Sequence, residues 1–275
     1  MNTTGTENPL VTVYVTTKNR LSLLRRALKS LDEQTTDDFE VIVVNDASTD
    51  NTREFLDTCR PRFPLTVIHN ESTCGAPASR NKAINQARGR FITGLDDDDE
   101  FLPDRIRTFT DAWTDAWSLL AADCLIVSGS RTVRWRKKRN ITHSDLLYRN
   151  LIGNQVFTLT ERVRNVGGFD ESLTAAQDYD LWLRLVGRFG PAGTLAVPLQ
   201  VIHETDAAHR ITSQMDFNWG YYQCYLKHKA DMTPLQRAAH LHNIRRARNK
   251  PVTIWETLSS TPISFWPKEL ARRLR

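Results

Sequence analysis

Short apolar runs alternate with amphipathic stretches along the first part of the chain. Val11-Thr12-Val13-Tyr14-Val15-Thr16 is β-branched and bounded by Lys18-Asn19-Arg20, which predicts a buried strand. Leu21, Leu24, Ala27, Leu28 and Leu31 then share one face of a helix over 21–31. A second strand over 39–44 runs into Asn45-Asp46-Ala47-Ser48-Thr49-Asp50, whose short polar side chains suit a turn and a helix N-cap. Residues 65–68 predict a third strand, 78–87 a helix, and 91–95 a fourth strand.

Parallel strands need crossover connections, which are usually helical, so this alternation implies an α/β fold with a mostly parallel sheet flanked by helices. Such sheets bind ligands outside the carboxyl ends of their strands. Polar clusters fall there three times, at 17–20, 45–50 and 96–100. Beyond Pro103 the pattern is mixed: a helix to about Trp117, a strand over 125–130, a basic loop over 131–139, and a strand over 155–160. A helix over 179–189 turns Leu181, Leu185 and Phe189 inward, and a strand follows over 194–202. From Phe217 onward the chain is helical, aromatic and basic, and it holds no internal repeat.

Composition narrows the class without naming it. With 275 residues, 40% hydrophobic and 25% charged, the chain suits one large domain, or one plus a helical appendage, and not a disordered segment. The net charge of +5 is unevenly spread, concentrated in Arg131, Arg134, Arg136, Lys137, Lys138 and Arg139 and in the tail from Arg237. Such clusters attract polyanions or form a solvated face. The four cysteines form no C-x-x-C pair, which disfavours a zinc site or disulfide scaffold and fits a reducing cytosol. No basic start precedes an apolar leader, and the longest apolar run, over 119–127, is broken by Asp123; neither secretion by that route nor a membrane span is expected.

Asp96-Asp97-Asp98-Asp99 ends the fourth apolar strand. Four carboxylates in a low-dielectric crevice repel one another and need a counterion, for which Mg²⁺ or Mn²⁺ with a diphosphate is the simplest choice. An acidic turn beside the dipole of a helix over 103–109 is the plainer alternative.

Several stretches together resemble a family 2 glycosyltransferase of GT-A fold. They are Thr16-Thr17-Lys18-Asn19-Arg20, the run from Val43 to Thr52, Gly75-Ala76-Pro77-Ala78-Ser79-Arg80-Asn81, the run from Gly89 to Asp99, and Gln177-Asp178-Tyr179-Asp180-Leu181-Trp182. They cover roughly residues 10–190, and the last third is not well covered. The resemblance implies a Rossmann-like domain over 1–215, with a nucleotide-sugar half at about 10–105 and an acceptor half at about 106–215, and a helical extension over 216–275.

The resemblance also implies roles. Asp46 matches the aspartate that accepts the uracil imide N–H, with Thr17, Asn19, Arg20, Arg80, Asp96 and Asp97 around the nucleotide. Asp96 and Asp98 match the D-x-D pattern, with Asp98 the direct metal ligand and Asp99 on the donor sugar or behind the metal. Asp178 matches the base of the inverting members, although on its own it also reads as an ordinary helix start. His203, or His209 in competition with it, matches the histidine that completes the metal shell, although on its own it also reads as a strand-end histidine with no ligand role. Asn45 stands where an aspartate is common and Gln177 where a glutamate is frequent. The absence of Q-x-x-R-W after the base points to a non-processive enzyme adding one sugar at a time.

The implied partners are a UDP-sugar donor and a saccharide acceptor, with a lipid-linked oligosaccharide or a lipopolysaccharide or O-antigen precursor the candidate. A basic tail bearing Trp255, Phe265 and Trp266 suits peripheral contact with an anionic membrane, on the cytoplasmic face, or a helix packed on the domain. Nucleic acid is not expected, since no binding motif accompanies the basic clusters. A nicotinamide dehydrogenase is disfavoured because the first strand-to-helix turn lacks G-x-G-x-x-G. A sugar-nucleotide pyrophosphorylase would want a glycine-rich loop at 16–20, and a non-catalytic binding module would leave Asp46 and Asp178 unexplained.

Overall fold

The computed structural model describes residues 8–204, 214–247 and 253–260, together with 263 and 266. In its first part, strands β1 (Val11–Thr17), β2 (Phe39–Asn45), β3 (Leu65–His69) and β4 (Phe91–Asp96) alternate with helices α1 (Leu21–Asp32), α2 (Thr52–Thr58) and α3 (Ala76–Gln86). β1 pairs in parallel with β2 and β4, and β2 in parallel with β3. Every residue of β2 is buried, as expected of a parallel strand covered on both faces. Side chains alternate between two cores: Val11, Val13 and Val15 meet Leu24 and Leu28 of α1, while Tyr14, Ile42 and Val44 meet Ala83 and Ile84 of α3.

The second part adds β5 (Glu100–Phe101), α4 (Arg105–Ala112), β6 (Leu120–Ser128), β7 (Arg131–Trp135), β8 (Asn140–Ile141), α5 (His143–Leu146), β9 (Phe157–Leu159), α6 (Thr160–Asn165), α7 (Gln177–Phe189) and β10 (Ala192–His203). One sheet results, ordered β3-β2-β1-β4-β9-β6-β10-β5, with β7 on β6 and β8 on β10. It is parallel through β3, β2, β1 and β4 and again between β6 and β10, and antiparallel where β9, β5, β7 and β8 join. This is the mixed α/β sheet flanked by helices that the resemblance implies.

Four local expectations need correction. The strand expected over 125–130 is β6, which begins at Leu120 and ends at Ser128, where the turn into β7 starts. The helix after Pro103 stops at Ala112, because Trp113 takes an extended conformation and packs its ring on Phe91 and Phe157. The basic stretch over 131–139 is not a loop throughout: its first five residues form β7 against β6. Buried Asp123 on β6 draws it in, accepting from Arg134, Arg139 and the Lys137 amide. The strand expected over 155–160 is only Phe157–Leu159, since α6 begins at Thr160.

Helices α8 (Gln214–His228), α9 (Pro234–Ala247) and α10 (Ile254–Ser259) complete the described chain. Cys224 and Tyr225 of α8 belong to the same core as Tyr179 of α7. The His240 ring of α9 stacks on Tyr179, with centroids 5.9 Å apart. The helical extension is thus seated on α7, the helix whose first turn carries Asp178.

Candidate active site

At the carboxyl end of β4 the chain turns back, the Asp99 amide donating to the Asp96 carbonyl at 3.0 Å. Successive side chains therefore alternate in exposure. Asp97 and Asp99 are each 2% exposed, whereas the side chains of Asp96 and Asp98 are 23% and 22% exposed. Thr17 Oγ1 donates to Asp97 at 2.7 Å, and one Arg20 nitrogen bridges Asp97 and Asp98 at 3.0 Å to each. Arg80 donates to Asp96 at 3.0 Å and lies over the Phe169 ring. Asp99 is held by uncharged donors: Asn154 at 2.8 Å, Gln200 at 2.9 Å and the His203 amide at 3.2 Å.

Two arginines face four carboxylates, and burial, with that surplus charge behind it, shifts the protonation equilibria. Burial, only partly offset by Thr17 and Arg20, pushes the Asp97 carboxyl up to about 6. Burial and then the charge of Asp96 raise Asp98. Burial with Asp96 and Asp98 raises Asp99 well above the usual carboxylate range. Beneath the turn, a side chain on Gly94 would collide with Tyr14 and Gln155, so only glycine lets those two side chains form the floor.

Asp46, at the end of β2, sits in a different cradle. It accepts from the Cys74 amide at 2.9 Å, Asn70 at 2.8 Å and the Gly75 amide at 3.0 Å. Burial works against its ionisation, but these donors outweigh it and hold the carboxyl below its ordinary value. Asn19 ties the first loop to the second, its carbonyl accepting from the Thr49 amide at 2.6 Å and its own amide donating to Ser48 at 2.9 Å.

Asp178 opens α7 opposite the acidic turn. Burial pushes its carboxyl up to about 6, with the Tyr179 amide and Arg80 opposing and Asp96 reinforcing the shift. Arg80 spans the gap, reaching Gln177 at 3.2 Å as well as Asp96. The non-glycine residues with left-handed backbone among those described are Asn19 (φ 54), Ala47 (φ 55) and Ala176 (φ 59). Each lies within two residues of Arg20, Asp46 or Asp178.

Hydrogen bonds thus tie Thr17, Arg20, Arg80 and Asp96 to Asp99 into one cluster that Arg80 links to the start of α7 at Gln177 and Asp178; Asp96 and Asp98 line its open side, the candidate crevice, with Asn19 and Asp46 on the β2 rim. His203 ends β10 beside it, but its Nε2 lies 2.6 Å from Glu100 instead of being open. His209 lies outside the described residues. Among the described residues no three acid, imidazole or thiol groups already converge on a metal position. The donor chemistry nevertheless fits a hard divalent cation: the partly exposed carboxylates are Asp96 and Asp98, in a turn whose four carboxylates outnumber the two arginines that reach them. Asn150, Asn154, Gln155 and Gln200 also belong to the site and were not expected. Neutral amides leave no periodicity or charge signal in a sequence.

The chain matches the family model "Glycosyl transferase family 2" over residues 12–173. It is 36% identical to an Escherichia coli (strain K12) protein whose name assigns it to colanic acid biosynthesis as a glycosyl transferase, over 91% of this chain and 92% of that one. Among solved structures, S. aureus TarS 1-349 in complex with UDP-GlcNAc superposes with a TM-score of 0.69 at 22% identity, covering 91% of this chain and 78% of that one. A mannosyltransferase from Pyrobaculum calidifontis in complex with GDP-Man and Mn²⁺ gives 0.64 at 18% identity, covering 98% and 82%. With a GT-A type sheet carrying the acidic turn at the carboxyl end of β4, this chain belongs to glycosyl transferase family 2 and is a transferase enzyme.

Proposed function

We propose that this enzyme transfers a single hexose or N-acetylhexosamine from a UDP-sugar to a saccharide acceptor, with inversion and with a divalent cation, Mn²⁺ or Mg²⁺. The observation that carries this reading is the pairing of two sites across one crevice: a carboxylate turn with surplus negative charge, and Asp178 with its carboxyl raised to about 6. Asp98 would be the direct cation ligand, Asp96 the second, and His203 a third were it to exchange Glu100 for the cation. When bound, the cation would supply charge to stabilise the departing diphosphate.

The protein's own residues do the rest. Arg20, Arg80, Thr17 and Asp97 shape the diphosphate side. Asp46, presented at the loop that Asn19 clasps, receives the uracil imide N–H, and Asp99 supports the donor sugar or the cation from behind. Asp178 takes the proton from the acceptor hydroxyl as that oxygen bonds to the anomeric carbon. The anomeric carbon–oxygen bond to UDP breaks on the opposite face, and its electron pair leaves on the diphosphate. A base with a pKa near 6 is ionised at neutral pH yet basic enough to assist.

Residues 1–215 would form the catalytic domain, with nucleotide-sugar and acceptor halves at about 10–105 and 106–215, and 216–275 the extension. An acceptor in cell-surface polysaccharide assembly, lipid-linked or of the lipopolysaccharide or O-antigen type, accords with the name of the E. coli relative. Among the described residues no helix is long and apolar enough to cross a membrane. Ile254 and Trp255, 53% and 78% exposed, suit an interfacial contact at the inner face of the cytoplasmic membrane. Trp266 is turned inward, donating to the Leu258 carbonyl, and Phe265 lies outside the described residues.

A donor screen measuring UDP release with Mn²⁺, Mg²⁺ or chelator tests the reaction. Turnover of one UDP-sugar that chelator abolishes is expected. UDP binding without turnover across an acceptor panel would leave a non-catalytic binding module. Vesicle co-sedimentation unaffected by deleting residues 251–275 would remove the membrane contact.

A further inference from the structure

The loop over 147–156 joins α5 to β9 and touches both halves of the crevice. Asn150 accepts from the amides of Ile152 and Gly153 at 3.0 Å each, and its own amide contacts Asp178 at 3.4 Å. Gly153 has φ 104, a conformation that favours glycine, and its carbonyl accepts from the buried Trp182 indole of α7 at 2.9 Å. That anchor fixes the direction of the next two residues. Asn154 Nδ2 donates to Asp96 Oδ2 and to Asp99 Oδ2, both at 2.8 Å, so each of its hydrogens holds a different carboxylate. Gln155 Nε2 donates to the other oxygen of Asp96 at 2.9 Å.

An amide differs from an arginine here in one respect. Arg20 holds its carboxylates and also cancels charge; Asn154 holds two carboxylates and leaves their charge intact. Its two donors fix the separation and the exposed face of Asp96 and Asp99 in a segment that also carries the neighbour of Asp178. We infer that Asn154 is a positioning residue for the transfer proposed above, holding the acidic turn oriented toward cation and diphosphate, and that loop 150–155 sets that turn's register with the start of α7. The inference rests on the proposed function.

The test compares wild type with Asn154→Leu, which keeps the bulk and removes both donors, and with Asn154→Ala. MnCl₂ with UDP is titrated calorimetrically, kcat and donor KM are measured, and thermal unfolding is followed in parallel. Loss of the bridge should weaken Mn²⁺-dependent UDP binding by about tenfold or more and lower kcat by at least as much, the range seen when groups supporting metal ligands are removed. Unfolding midpoints within a few degrees of wild type are expected, because the loop keeps its Gly153 anchor. Both variants folded, with wild-type titration and kcat, would overturn the inference while leaving the reaction standing. A lowered midpoint with unchanged constants per folded molecule would overturn it too, since a purely structural role predicts that. If the wild type itself binds no UDP with Mn²⁺, the proposed function falls first.

Discussion

Asp178 and Asp180 stand two residues apart in the first turn of α7, in opposite environments. Asp178 faces the crevice, where burial outweighs the help of the Tyr179 amide and Arg80, and its carboxyl rises to about 6. Asp180 faces the protein, wholly buried, with Arg184 at 2.7 Å, His228 at 2.8 Å and Lys227 at 2.9 Å. Burial opposes its ionisation as well, but His228, Arg184 and Lys227 overcome it and hold the carboxyl far below the usual range. One helix terminus thus carries one carboxylate left basic enough to react and one consumed in attaching the C-terminal helices. The number of cations within reach separates the roles; the helix dipole serves both alike.

The largest effect should come from the crevice side. Asp178→Asn is expected to lower kcat by about 10³-fold or more with UDP binding retained, the scale of losing a general base. Full activity in that variant would remove the base assignment. Asp98→Ala should abolish transfer as well, but by a different route: Mn²⁺-dependent UDP binding should drop by at least about 100-fold in calorimetry.

On the protein side, Asp180→Asn should destabilise by about 3–5 kcal/mol, because it strands the cations of Arg184 and Lys227 and takes the carboxylate from His228. Turnover per folded molecule should stay within a few-fold of wild type. A large kcat loss in a fully folded Asp180→Asn would erase the contrast between the two faces.

The pH responses should also diverge. As the base proposed above, Asp178 would have to be ionised to act, so kcat should fall about tenfold per unit below about pH 6 and level off above it. Asp180, with its folded pKa depressed, stabilises the protein fully above its unfolded value near 4, and that stability is lost as pH falls further. The smallest effect sharpens the same point. Asp178 has a raised folded pKa, so its ionisation costs stability as pH rises through about 6. Asp178→Asn should therefore raise the unfolding midpoint at pH 8 but not near pH 4.

Much of the framework was legible because it is local. β1, β2 and β4 are β-branched runs buried on both faces, and each ends within a residue of its expected limit. Thr17, Arg20 and the four aspartates were placed together by their strand ends, and Arg80, inside α3, by the family resemblance. What escaped depends on partners distant in sequence. β7 is a row of exposed residues that forms a strand because β6 lies beside it and Asp123 holds its Arg134. Gln200 lay in an expected strand, yet its contact with Asp99 spans a hundred residues that no pattern links. His203 stands near the acidic turn as expected, but its pairing with Glu100 follows from β5 joining β10, a two-residue strand too short to leave a period.

The left-handed backbone at Ala47 and Ala176 bears on how this enzyme can be hardened. For an alanine that conformation costs roughly 1–2 kcal/mol, and both residues border the crevice. Glycine at either place would lift the steric penalty, in part offset by a looser unfolded chain. A screen for heat tolerance would be drawn to these positions, and it would loosen the backbone next to Asp46 and Asp178. Durability and aim are in opposition at the same two residues, so thermal improvement is better sought on the far side of the sheet.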